Sequence, residues 1–504
     1  MEHTPQLVIP FRQDIASLFP NHGEHTGGMT LPHDIPTTTI LRKLGFVVPA
    51  PVLSQYKWTG TRTPFDVQKT TVEMLTMNQR AYVLSGMGVG KTACPLWALD
   101  FLKKQKQASK MLVVAPLSTL HFVWMREIFA IDVPLSGVVL HGSRAKRLKL
   151  LAEDHDVYII NHDGIGTIYD ELIKRPDIDV LCIDELAVYR NPGERTKLMK
   201  KLAARFKWAW GMTGGPAPNQ PTDVWNQANI LTPDTVPKYF GKFRDDLMVK
   251  INNFKYVPRM GAIEKAYDAL QPSVRFTLED VRELPPYISR RIDVALGIKQ
   301  KHVYETIRKQ GLAMLGGDTI SAANKGVLLS KLLQISLGYV YSEKKGVITL
   351  DNDARLKALL DILDAGPGQM LVFTGYKHAL HGINEAVTRG GWNSAMVSGD
   401  TPLKERGQIF TDFQTHGLYK TIVAHPQCVS HGLTLTAADT VVWFGPIPSL
   451  ETYDQANARI RRTGQTKKQQ FIHLQATPAE KKLYDALINK QNIQNALLSM
   501  FEDE

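Results

Sequence analysis

The stretch AYVLSGMGVGKT, residues 81–92, decides how the rest of the chain is read. Ala81 to Ser85 is a short apolar run of the kind that forms a buried strand. Three glycines follow and let the backbone curl, so that the amides of Gly86, Met87, Gly88, Val89 and Gly90 can face a phosphate. Lys91 would reach the β and γ phosphates, and Thr92 carries the hydroxyl that belongs on Mg²⁺. A helix opening at Ala93 would aim its positive end at the anion. One position departs from a strict GxxxxGK[ST] loop: Ser85 stands where the first glycine belongs.

Downstream, VLCIDEL, residues 180–186, is a continuous apolar run that ends in two carboxylates. Such a run fits a central parallel strand delivering acidic groups to the carboxyl edge of a sheet. Asp184 would hold Mg²⁺ through water, and Glu185 would polarise the attacking water. Together the two motifs indicate nucleoside triphosphate hydrolysis by in-line attack on a γ phosphate, with catalysis supplied mainly by positioning and charge neutralisation.

The 504 residues are enough for two or three domains, and 43% hydrophobic with 22% charged residues exclude a disordered chain. Sixty Lys and Arg against 49 Asp and Glu give a net charge of +11, which favours a polyanionic partner. Basic clusters (Lys103, Lys104 and Lys106; Arg144, Lys146, Arg147 and Lys149; Lys200, Lys201 and Arg205) read singly as solvated helix faces. Cys94, Cys182 and Cys428 are too scattered for a disulfide framework or zinc site, and the 15 histidines show no ligand spacing. No apolar stretch approaches the roughly 18 residues of a membrane span. Residues 1–19 lack the basic start and apolar centre of a signal peptide. The expectation is a soluble, cytoplasmic protein without a membrane partner.

The first 55 residues, rich in proline, read as an irregular arm or small accessory domain. From 56 to 284 apolar runs alternate with amphipathic stretches: AYVLS, KMLVVAP, GVVLH, DVYIIN, DVLCIDE and WAWGMT. From 285 to 504 the rhythm recurs in QMLVFT, SAMVSG, KTIVAH, DTVVWFG and QFIHL, without a second phosphate loop. This is an α/β pattern of two doubly wound parallel sheets. Between residues 225 and 355 the signals are mainly helical, as in KHVYETIRKQGLAML and KGVLLSKLLQIS, and imply helical insertions on both domains. One complete loop for two such domains suggests a nucleotide site that needs a charge sensor from the second half. In ETYDQANARIRRTGQ, residues 451–465, Arg459 and Arg462 are three apart, as on one helical face, and can supply it.

At this point the chain resembles the Swi/Snf-like branch of superfamily 2 helicases, most closely the short versions encoded by tailed bacteriophages. The likeness runs from about residue 56 to 504. RTPFDVQ looks like the upstream glutamine motif, in which Gln68 would read adenine. VVAPLSTLHFVW is similar to the segment whose backbone and Ser118 touch a nucleic-acid phosphate. DELAVYRNP occupies the place of the Asp-Glu box, and MTGGPAPNQPTDVW that of the motif coupling hydrolysis to domain movement. ELPPYISRRIDVAL, MLVFTGY, VSGDTPLKER, HGLTLTAADTVVWF and QANARIRRTGQ follow in the family order.

The resemblance implies tandem RecA-like domains and an ATP-dependent, Mg²⁺-requiring translocase or helicase, monomeric, acting on duplex, forked or junction DNA with little sequence preference. It places Ser118, Thr213, Thr374 and Ser430 at the nucleic acid, and the host cytoplasm as the location if the chain is phage-encoded. Three departures stand out: Ala187 where many relatives have histidine, Gly215 where threonine is common, and His425, Pro426 and Ser430 before Gly432. The alternatives are an RNA-directed helicase of the DEAD-box group and a binding scaffold switched by ATP. Tyr56, Trp58, Trp443 and Phe444 read as packing residues before they read as stacking platforms.

Overall fold

The computed structural model describes residues 5–58, 63–218, 220–252, 256–281, 285–315, 322–342, 346–429, 433–462 and 464–490. The chain divides into two compact units, Met1–Val281 and Arg282–Glu504.

In the first unit, strands β1 (Gln6–Ile9), β2 (Gly23–His25) and β3 (Gly28–Pro32) form an antiparallel sheet in the order β1-β3-β2. Ile9, Ile15, Met29, Leu31, Leu41 and Val48 give it a small core of its own. The prolines that suppressed periodicity thus border a folded module.

The main sheet of this unit contains β4 (Arg80–Val83), β5 (Lys110–Ala115), β6 (Gly137–Val139), β7 (Val157–Asn161), β8 (Ile178–Asp184) and β9 (Trp208–Met212). All six were legible as apolar runs. A hairpin, β10 (Met248–Lys250) with β11 (Tyr256–Pro258), and a two-residue edge strand, β12 (Ser273–Val274), were not. The sheet order is β12-β4-β9-β8-β5-β7-β6, parallel throughout. Both faces are covered. Ala81, Val83, Met111 and Val113 pack with Trp97 and Trp124 on one side, and Tyr82, Leu84, Leu112 and Val114 pack with Leu151 and Leu186 on the other. Burial on both faces is why these strands read as continuous apolar runs instead of alternating ones.

The second unit starts with β13 (Tyr287–Asp293) and the helices Ile298–Leu315 and Ala322–Ser336. A hairpin follows, β14 (Tyr339–Ser342) with β15 (Gly346–Thr349). Then come β16 (Gln369–Phe373), β17 (Ser394–Val397), β18 (Thr421–Ala424), β19 (Ala438–Trp443) and β20 (Gln469–Gln475). The sheet order is β13-β20-β19-β16-β18-β17, again parallel and again packed on both faces. Trp443 and Phe444 are fully buried, as read from the sequence. Each unit is therefore a doubly wound α/β sheet, and the fold is a tandem RecA-like one. Among the described residues no helix is long and apolar enough to cross a membrane.

Candidate active site

Three neighbouring strands of the first unit end side by side. Val83 of β4 and Asp184 of β8 both pair with Met212 of β9. The residues that follow these strands are thereby gathered at one edge of the sheet, the place where open α/β sheets bind ligands.

After β4 the chain turns through the phosphate loop into the helix Ala93–Lys104. Gly88 (φ +81°) and Gly90 (φ +75°) occupy the left-handed region, which side chains rarely adopt. At Gly90 a Cβ would also lie 2.3 Å from Nε2 of Gln68. Val89 is buried and anchors the loop. Thr92 occupies the N-cap position and makes no side-chain capping bond there, and the Cys94 amide donates to the Lys91 carbonyl at 3.1 Å. Lys91 Nζ donates to the carbonyl of Ser85 at 2.8 Å. Gln68 donates from Nε2 to the carbonyl of Gly90 at 3.1 Å and accepts at Oε1 from the amide of Phe65 at 2.9 Å. It therefore braces the loop against the start of the helix Asp66–Met77.

Asp184 ends β8, where its Oδ2 accepts from the Trp124 indole at 2.9 Å. Burial pushes its carboxyl up to about 6; the indole acts against this, the Glu185 charge adds to it, and the Lys91 charge lowers it. Glu185 has a left-handed backbone (φ +62°), an unusual setting for a side chain of this kind. Its Oε1 accepts from the Thr213 hydroxyl at 2.8 Å, and the Thr213 amide donates to the Val83 carbonyl at 3.0 Å. Thr213 is thus bonded to both the end of β4 and the carboxylate after β8. At Gly214 a Cβ would lie 3.6 Å from the Ser85 carbonyl and 3.8 Å from Lys91 Nζ, which places this turn against the loop.

The chemistry of these groups fits a triphosphate with one divalent cation: amides and an ammonium for phosphate oxygens, a carboxylate and a hydroxyl for the metal. Among the described residues no group of three or more His, Cys, Asp or Glu gathers.

The residues expected at the nucleic acid differ in exposure. Thr213 is buried and bonded to Glu185, and Thr374 is fully buried at the end of β16. Ser118, in the turn Leu117–Thr119, is partly exposed, and Ser430 lies outside the described residues. The helix Leu450–Asn457 ends before Arg459 and Arg462, so the two arginines follow it in a turn instead of sharing its face. Both nevertheless donate to one acceptor, the Leu433 carbonyl. Arg459 is almost wholly buried; burial, then the neighbouring Arg462 charge, pushes its guanidinium down to about 9. The arginines belong to the second unit, and Lys91, Asp184 and Glu185 to the first.

Two participants escaped the sequence reading. Trp124 closes the quoted VVAPLSTLHFVW segment, yet nothing in that string ties it to Asp184. Phe276 bonds to Ser85 from far along the chain.

The chain matches the SNF2-related domain over residues 68–340 and the helicase conserved C-terminal domain over residues 354–464. It is 27% identical to protein p41 of Acyrthosiphon pisum secondary endosymbiont phage 1, over 82% of this chain and 91% of that protein. It is 25% identical to the ISWI chromatin-remodeling complex ATPase ISW1 of Saccharomyces cerevisiae, over 82% of this chain but only 38% of the yeast protein. A solved Sulfolobus solfataricus SWI2/SNF2 ATPase core in complex with dsDNA covers 88% of this chain and 93% of its own at 23% identity, with a TM-score of 0.42.

Proposed function

The chain belongs to the SNF2-related family, and from that premise we propose that it is an ATP-hydrolysing, DNA-stimulated translocase acting on duplex or branched DNA. The observation that carries this reading is the convergence of Lys91, Asp184, Glu185 and Thr213 at the ends of three adjacent strands.

In this reading the loop amides and Lys91 bind the β and γ phosphates, and Lys91 gives up the Ser85 carbonyl to do so. Thr92 and Asp184 would hold Mg²⁺, which would supply neutralisation of the phosphate charge. Glu185 accepts a proton from the attacking water, oriented by the Thr213 hydroxyl. Arg459 and Arg462 exchange the Leu433 carbonyl for γ-phosphate oxygens and stabilise the charge that develops there. DNA is held by its phosphates, with Ser118 among the contacts, so binding is salt-dependent and nearly blind to sequence. Remodelling of forks or migration of branches is the role this chemistry would serve.

The test is ATP turnover measured with duplex, forked, four-way junction and single-stranded DNA and with RNA. Duplex-containing DNA is expected to stimulate, junctions most strongly if branches are the substrate; stimulation by RNA alone would overturn the proposal. Arg462→Ala is expected to lower DNA-stimulated turnover about 100-fold while nucleotide still binds. Unchanged turnover would remove the arginine from the mechanism.

A further inference from the structure

Ser85, the residue that breaks the strict phosphate-loop pattern, is almost completely buried, and both of its oxygens are engaged. Its carbonyl accepts from Lys91 Nζ at 2.8 Å. Its hydroxyl accepts from the backbone amide of Phe276 at 3.0 Å. The Phe276 carbonyl in turn accepts from the amide of Gly86 at 2.7 Å, so one peptide segment grips two successive loop residues. The grip continues a ladder. Tyr82 N–H donates to Pro272 O at 3.0 Å and Leu84 N–H to Val274 O at 2.8 Å, as β12 runs parallel to β4. A glycine at position 85 would keep the carbonyl contact to Lys91 and lose the hydroxyl contact to Phe276.

Segment 272–276 is also where the chain prepares to leave the first unit. Thr277 bonds to Asp280 in a tight turn, and the first unit ends at Val281. The start of the phosphate loop and the exit strand are therefore hydrogen-bonded into one piece, with Ser85 as its side-chain link.

We propose that Ser85 is a positioning residue that couples the phosphate loop to the exit strand, so that nucleotide binding orders residues 272–281 and the order of that strand sets nucleotide affinity. The two effects are reciprocal, because a coupling free energy between two sites acts equally on both. The proposal rests on the nucleotide reading of the loop given above.

The experiment uses the full chain with Mg²⁺-ADP and no DNA. Affinity is measured by calorimetry, and amide hydrogen exchange is followed in peptides spanning 272–281. In the unaltered chain ADP is expected to slow exchange across this segment. Ser85→Ala and Ser85→Gly are expected to bind Mg²⁺-ADP about fivefold more weakly, the scale of one hydrogen bond, and to lose that protection. Should the alanine variant fold poorly, the glycine variant carries the test, since it matches the strict loop and tolerates any backbone conformation. ADP affinity in both Ser85 variants unchanged from that of the unaltered chain, or ADP-dependent protection of 272–281 that survives them, overturns the proposal. Absence of Mg²⁺-ADP binding by the unaltered chain overturns the nucleotide reading itself, and this proposal with it.

Discussion

In the first unit nine residues, 84–92, separate β4 from the helix Ala93–Lys104; in the second only three, 374–376, separate β16 from the helix Lys377–Arg389. Both are strand-turn-helix connections in parallel sheets covered on two faces. The longer one holds two left-handed glycines, Gly88 and Gly90. The shorter one passes straight from a buried Thr374 through Gly375 and Tyr376 into the helix. Three residues leave no slack for the backbone to fold around an anion. A RecA-like sheet is thus a phosphate holder only where the loop is inserted, and the second unit has the architecture without the cradle.

The largest expected effect tests that contrast directly. Lys91→Ala should lower DNA-stimulated ATP turnover about 1000-fold or more, in line with the loss of a charge aimed at the reacting phosphate. Thr374→Val, at the corresponding connection of the second unit, should change it less than about threefold, as expected for a buried group with no ligand to hold. Comparable losses from both substitutions would break the comparison.

Buried charge also differs between the units. In the second, Arg355 and Glu480 pair at 2.8 and 2.9 Å with essentially no exposure. Arg355 also donates to the carbonyls of Phe444 and Leu474, and Glu480 accepts from the amides of Ala476 and Thr477. The ion pair is hydrogen-bonded from both partners to the backbone around it and has a structural role. Glu480→Gln should cost about 3 kcal/mol, because it leaves a guanidinium buried without its counter-charge. Amide exchange in β16, β19 and β20 should accelerate accordingly, while β4, β8 and β9 stay protected. Equal acceleration in both sheets would show that the units do not unfold separately.

Acid should separate the units as well. His473 is fully buried in β20; burial pushes its imidazole down to about 4, while the Arg290 carbonyl acts against the shift and the Arg291 charge adds to it. The unfolded chain, with an ordinary imidazole near 6.5, takes the proton more readily. Stability from this group is therefore full above about pH 6.5 and is lost as pH falls toward 4, by roughly 3 kcal/mol if the whole window is crossed. Asp184 has the opposite sign: its raised carboxyl binds a proton more readily in the folded state, so its contribution is lost as pH rises through about 6. Exchange measured from pH 7 to 4.5 should loosen β19 and β20 before β8, and His473→Gln should flatten that response. A first unit that loosens at the higher pH would reverse the assignment.

How much of this was legible in the sequence follows from the range over which each signal acts. Strands β5, β7, β8, β16 and β18 announced themselves because burial on both faces demands apolar runs. Strand β13 did not: six of its seven residues are exposed, and Arg290 and Arg291 interrupt any apolar pattern. Strand β12 is only two residues long and exists through its pairing with β4. In the site, Lys91, Thr92, Asp184 and Glu185 were readable because each follows its strand in a fixed local order. Contacts that close across the fold, Trp124 to Asp184 and Phe276 to Ser85, leave no local trace. Thr213 lay between these cases: its place in the motif was visible, but its partner was not.

That partner yields the smallest effect and the sharpest one. Glu185 sits on a left-handed backbone, so its carboxylate direction is set by what holds its far end, and the Thr213 hydroxyl at 2.8 Å is the donor the structure places there. Thr213→Val removes the donor and leaves the rest of the strand end in place. Turnover at saturating ATP should fall about tenfold, near the upper worth of one hydrogen bond, with KM for ATP unchanged because no phosphate contact is lost. Thr213→Ser should restore most of it, since the hydroxyl returns without the methyl group. A fall in thermal stability with kcat unchanged would make Thr213 a packing residue and leave Glu185 oriented by its backbone alone. A loss of kcat that serine rescues would mean that the turn after β9 aims the carboxylate after β8, so that two neighbouring strand ends of the first unit act together.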